Sequence, residues 1–86
     1  MATLDEFIEA WIDKPNRDRA YAIAEAFVRE HEIRLESMFG GKTSEELAEF
    51  CTQARQRGEQ EAAWMATIWE LVKFPRQTIT GRLNVG

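Results

Sequence analysis

Cysteine and histidine are nearly absent from this chain of 86 residues, which contains one of each. Cys51 therefore has no partner for an internal disulfide. It lies among apolar residues at helical spacing, where a free cysteine usually behaves as a small buried hydrophobe. His31 is the only histidine that could serve this thiol as a base. These scarcities exclude a disulfide framework, argue against a nucleophilic active site and favour a reducing compartment.

Long apolar runs are absent too. No segment approaches the roughly 18 consecutive apolar residues of a membrane span, and the first residues lack the basic and apolar regions of a signal peptide. We therefore expect a cytoplasmic protein that does not enter a membrane.

The chain has no basic excess. Its net charge is −4, with twelve acidic and six basic residues in residues 1–50 but three acidic and five basic residues in residues 51–86. A protein that binds nucleic-acid phosphates would present a basic patch, so we expect no direct nucleic-acid binding. An ordinary solvated surface would explain the acidic first half. The same excess would also steer a basic partner, and in that case we expect Glu25, Glu32 and Glu36 to face it.

Prolines and glycines are few, and their positions divide the chain into helical segments. Pro15 and Pro75 end two of these segments, and a pair of glycines before Thr43 ends another. Thr3 and Thr43 are each followed three residues later by glutamate, the pattern of a capping box at a helix start. We therefore expect an all-α bundle of three helices over residues 4–13, 17–38 and 44–74, the two long ones antiparallel.

Gly58 lies in the middle of the third expected helix. Apolar and small residues recur at steps of three and four on both sides of it, along Leu47, Cys51, Ala54, Gly58, Ala62, Met65, Trp69 and Val72. Because this spacing passes through Gly58 without a change of phase, it favours one continuous helix. The alternative is a break at residues 57–59, which would give four helices.

The last eleven residues differ in character from the rest. Thr78-Ile79-Thr80 alternates as a strand does, and Leu83 offers a further apolar contact. We expect residues 76–86 to form an extended tail of a single helical domain covering residues 1–86. Such a tail would lie across the helices or pair with another copy.

Two pairs of glutamates have the spacing that a metal site would need. Glu6 with Glu9, and Glu46 with Glu49, place two carboxylates on one helical face, which is the minimal geometry for holding magnesium. One alternative function is therefore a magnesium-dependent, all-helical nucleotide hydrolase. The competing explanation is that acids near helix starts complement the helix dipole. Because no phosphate-binding loop accompanies the pairs, we expect no metal, no cofactor and no small-molecule substrate.

Residues 62–74 contain more apolar residues than a single buried helix face can hold. Ala62, Met65, Trp69 and Val72 continue the inward stripe, whereas Trp64, Ile68 and Leu71 form a second one. Burying the latter three is worth about 5–9 kcal/mol in total, at 1.5–3 kcal/mol each. One possibility is that the chain covers them itself, with the first helix or the tail. The other is a partner or dimer interface formed by Trp64, Ile68, Leu71, Trp11, Ile79 and Leu83.

The absence of a catalytic signature and the apolar excess together favour a non-enzymatic protein-interaction module. We expect a small adaptor, regulator or inhibitor that binds a larger macromolecule, most simply as a homodimer. Small acidic helical chains of this kind include inhibitors encoded by mobile genetic elements. A third alternative is a structural subunit of a larger assembly, with the tail as its docking element.

Overall fold

The computed structural model describes residues 2–13, 15 and 17–74 of the chain. Over these residues the fold is all-α and contains five helices and no strand. The helices are α1 (Leu4–Ile12), α2 (Arg17–Glu30), α3 (Glu32–Phe39), α4 (Ser44–Gln56) and α5 (Gln60–Lys73). The all-α prediction is confirmed. The expected tail over residues 76–86, with Ile79 and Leu83, lies outside the described residues.

Both predicted capping boxes are present. The Thr3 hydroxyl accepts a hydrogen bond from the Glu6 amide at 3.2 Å, and the Glu6 carboxylate accepts one from the Thr3 amide at 2.9 Å. Thr43 and Glu46 repeat the arrangement at the start of α4, with distances of 3.1 and 2.8 Å. Each box pairs two donors near a helix start, amides that otherwise have no partner within the helix.

The single helix predicted over residues 44–74 is wrong, because the chain breaks at Gly58. Gly58 has a φ of +78°, and its amide donates to the Arg55 carbonyl at 3.1 Å. The Glu59 amide donates to the Ala54 carbonyl at 2.8 Å. These two bonds form a Schellman motif, in which a left-handed residue ends the helix. Glycine adopts this conformation without the steric cost that a Cβ atom would add.

The single helix predicted over residues 17–38 is also wrong, because α2 ends and α3 begins on either side of His31. His31 leaves helical geometry, with φ −126° and ψ 27°, and its amide is shared between the Phe27 and Val28 carbonyls. The break lets α3 turn its own apolar side, with Leu35, into the core. His31 itself is half-buried. Five helices thus replace the three or four expected, and the antiparallel pairing of two long helices is not confirmed.

Helix α5 holds the bundle together, since it packs against each of the other four helices. All five helices contribute buried residues to one hydrophobic core. Polar contacts tie the helix ends: the Ala2 amide donates to the Glu30 carboxylate at 3.2 Å, and the Ser44 hydroxyl donates to the Glu70 carboxylate. The second contact places an acid beside the start of α4, where the helix dipole favours negative charge.

No helix in the described part of the chain combines the length and the apolar character that crossing a membrane requires.

Candidate interaction surface

The second apolar stripe of α5 is largely covered by the chain itself. Ile68 is fully buried and Leu71 is 3% exposed, while Trp64 is half-buried with its ring edge-on to Phe7 of α1 at 6.0 Å. The structure therefore gives Ile68 and Leu71 to the core, where they present no surface to a partner. The possibility that the first helix covers this stripe fits the packing of α1 on α5.

The predicted division of α5 into an inward stripe and an excess stripe is accordingly wrong. Of the four residues assigned inward, Trp69 is buried, but Ala62, Met65 and Val72 are only half-buried. The physical reason is the break at Gly58, because α5 takes a direction independent of α4 and the phase carried over from α4 no longer applies.

Trp11 belongs to an aromatic cluster within the chain. Its ring stacks on Phe7 at 5.7 Å and meets Tyr21 edge-on at 6.2 Å. The Arg17 guanidinium lies 3.8 Å from the ring centroid, and the buried Nε of Arg17 has no hydrogen-bond acceptor in the described part of the chain. The ring face supplies the guanidinium with a cation–π contact instead. Trp11 thus links α1 to α2, and it remains half-buried.

The three acids expected to face a partner are all exposed. Glu25 lies on α2, whereas Glu32 and Glu36 lie four residues apart on one side of α3. Arg29 and Arg34 lie close to them in sequence and are exposed too. The charges around these glutamates are therefore mixed, and this region is not a uniformly acidic face.

A more uniformly acidic face lies on α1. Asp5 and Glu9 of α1, and Asp13 at the cap that follows it, are exposed and follow one another at steps of four residues, so that their backbones lie about 6 Å apart along the axis. Glu6 borders the same side, and α1 contains no basic residue. The sequence pattern predicted a possible metal pair at Glu6 and Glu9, whereas the longer acidic series was not predicted.

Two large apolar side chains are exposed in the described part of the chain, and neither was predicted to be exposed. Ile12 is 69% exposed beside the acidic series of α1. Ile33, at the start of α3, is 89% exposed. The exposure of Ile33 could have been predicted from the sequence. Ile33 lies about 160° around a helix from Leu35, so the two side chains cannot both face the core.

The two glutamate pairs do not converge with further ligands. Glu6 and Glu46 are held by their capping boxes, and the Glu49 carboxylate accepts from the Gln53 amide at 3.3 Å. Within residues 2–13, 15 and 17–74, no group of three or more acidic, histidine or cysteine side chains has metal-site geometry. The caps thus account for the first acid of each pair.

The cap also changes the acidity of Glu46. The hydrogen bond from the Thr43 amide lowers the pKa of the Glu46 carboxyl and outweighs the opposing effect of desolvation, and the Thr43 hydroxyl and the charge of Lys42 lower the pKa further. A carboxyl whose pKa is depressed on folding stabilises the protein above its ordinary pKa of 4.5, and this contribution is lost as the pH falls through the folded value.

Replacing Glu46 by glutamine is therefore expected to reduce stability at pH 7, and the deficit should shrink as the pH falls through the lowered pKa of Glu46, because the wild-type carboxyl is then protonated as well. Urea denaturation of both proteins between pH 7 and pH 3 measures it. The control is Glu45→Gln, which removes the same charge from the same helix turn but no capping bond. If the two variants show the same pH dependence, the cap is not its source.

Cys51 and His31 serve packing in this structure. The Cys51 thiol is buried, donates to the Ala63 carbonyl at 3.4 Å and lies 3.7 Å from the Thr67 hydroxyl. The His31 ring packs on Phe27 at 4.6 Å. The two side chains lie in different parts of the bundle, Cys51 between α4 and α5 and His31 between α2 and α3, so the structure does not bring them together.

The structure therefore exposes acidic and apolar side chains on both α1 and α3. Open hollows at the helix ends, such as that lined by Gly58, Glu61 and Met65, are shallow. The comparisons with protein-family models, curated proteins and solved structures yield no match to this chain.

Proposed function

We propose that this chain is a non-enzymatic, cytoplasmic interaction protein, an adaptor, regulator or inhibitor that acts as a homodimer. It binds a basic surface on a larger macromolecule. The observation that carries the proposal is the outer face of α1. It combines three acids in line, Asp5, Glu9 and Asp13, with the exposed side chain of Ile12.

Electrostatics supports a basic partner. The described residues contain all fifteen acidic residues of the chain but only eight of its eleven basic ones, because Lys14, Arg76 and Arg82 fall outside them. Asp5 and Glu9 have no cationic partner within the described residues. A negative face of this kind raises the rate of encounter with a positive surface and repels nucleic acids.

Ile12 supplies binding affinity that the acidic residues alone do not. Exposed ion pairs contribute little affinity, whereas burial of an isoleucine is worth about 1.5–3 kcal/mol. Ile8, half-buried and one helical turn before Ile12, extends the apolar edge. The face of α1 therefore fits a surface with basic residues around an apolar depression.

The test is capture of partners from a lysate of cells that carry the protein. We expect wild type to retain a macromolecule that salt near 1 M releases, because the screening length then falls to about 3 Å. The double variant Asp5→Asn/Glu9→Gln should lose most of it. The control Glu45→Gln/Glu49→Gln removes equal charge from α4 and should retain it.

Two results would contradict the proposal. One is equal capture by the α1 variant and the α4 control. The other is the absence of any macromolecular partner together with a small molecule that raises the melting temperature, which would indicate a binding or catalytic site for a metabolite.

A further inference from the structure

The corner between α2 and α3 carries the most exposed large apolar side chain in the described part of the chain. Ile33 is 89% exposed, and the charged residues Arg29, Glu32 and Arg34 surround it. A shallow hollow lies beside it, lined by residues 29–34. The corner thus presents a protruding apolar group and a depression built from the same six residues.

We propose that this corner is the surface through which two copies of the chain associate. The inference rests on the proposed function, which includes a homodimer, and it names the contact face. A two-fold dimer places the same patch of both copies against each other, so the patch must complement itself. Ile33 of one copy can enter the hollow of the other, while its own hollow receives the partner's Ile33.

The charges on α3 complement one another under one orientation of the two-fold axis. At 100° per residue, Glu32 and Glu36 lie on one side of Ile33, and Arg34 lies on the other. An axis parallel to α3 turns the glutamate side of one copy toward Arg34 of its partner. A two-fold axis perpendicular to α3 would instead place the glutamates of one copy against the glutamates of the other, and Arg34 against Arg34. We infer that the two α3 helices run in the same direction.

The size of the corner sets the strength of the association. Helix α3 has eight residues and is therefore about 12 Å long, so its face alone is far smaller than the roughly 800 Å² per partner of a standard interface. The dimer should dissociate on dilution, with a Kd in the micromolar range or weaker.

Molar mass from light scattering, measured over a series of protein concentrations, tests the contact. Wild type should pass from monomer to dimer as concentration rises, and Ile33→Ser should weaken the dimer by about a hundredfold or more, because the substitution removes two buried isoleucines from each dimer. Ile12→Ser is the matched control, since it removes the other exposed isoleucine, and it should leave the dimer intact. Circular dichroism checks that both variants stay folded.

Charge exchange tests the orientation. Glu32→Arg/Glu36→Arg makes the face of α3 wholly positive, and Arg34→Glu makes it wholly negative, so each variant alone should be monomeric. Mixing the two should restore a mixed dimer whose stability falls with salt. Failure of the mixture to associate would overturn the proposed orientation.

A wild type that stays monomeric up to about 1 mM, or an Ile33→Ser variant that dimerises normally, would overturn the contact itself. Capture of a basic partner by Ile33→Ser would show that the proposed binding function stands even so, because the α1 face is unchanged in this variant. A normal dimer that captures no partner would instead count against the binding function alone.

Discussion

Replacing Phe7 by alanine is expected to lower the free energy of unfolding by about 3–5 kcal/mol, the usual range for a large aromatic removed from a core. Phe7 is fully buried, and its ring contacts both Trp11 and Trp64. An 86-residue chain has a total stability of about 4–13 kcal/mol. The loss should therefore bring the protein close to unfolding at room temperature.

Urea denaturation followed by circular dichroism measures this effect. Ile12→Ala is the matched control, because it removes an apolar side chain from the same helix at a position that is 69% exposed. We expect it to change stability by less than about 0.5 kcal/mol. Equal losses in the two variants would mean that α1 is not docked by Phe7.

Helix starts were the most predictable feature of the fold, because their signals are local. Thr3 and Thr43 each begin a helix with a capping box, and the predicted first helix over residues 4–13 differs from α1 by one residue. A cap needs only a threonine and a glutamate three residues later. No knowledge of the rest of the molecule is required.

The break at Gly58 was predicted only as the less favoured alternative, and the break at His31 was not predicted at all. Glycine at position 58 favours a helix end, whereas the continuous spacing of apolar residues favours one helix; such spacing is also compatible with two helices that both face the core. At His31 there is no glycine or proline, and the break follows from burying Leu35 and Phe27 on the same core. Tertiary packing of this kind cannot be inferred from local propensity.

The candidate surface was predictable only in part. Charge asymmetry directed the prediction to the first half of the chain, which includes the acidic series of α1, but the specific acids named, Glu25, Glu32 and Glu36, lie among arginines. Periodicity shows which residues share a helix face, yet it does not show what covers that face. For α5 the answer depends on four neighbouring helices.

Substitution of Ile68 tests most directly whether a residue of the second stripe of α5 belongs to the core or to an interface. It is fully buried within one chain, so Ile68→Ala should lower the free energy of unfolding by about 2–5 kcal/mol. Met65, assigned inward by its spacing but only half-buried, is the matched control, and Met65→Ala should cost clearly less.

Protein concentration separates the two explanations of any loss at Ile68. A residue buried in the monomer stabilises it equally at all concentrations, whereas a residue buried between copies contributes more as association rises. We expect the difference between wild type and Ile68→Ala to be the same at 1 µM and 100 µM. If the stability difference between wild type and Ile68→Ala grows with protein concentration, Ile68 and the second stripe of α5 lie in an interface between copies. Because Ile68 lies on α5, which packs against every other helix, the loss should unfold the whole bundle in a single transition rather than release one helix.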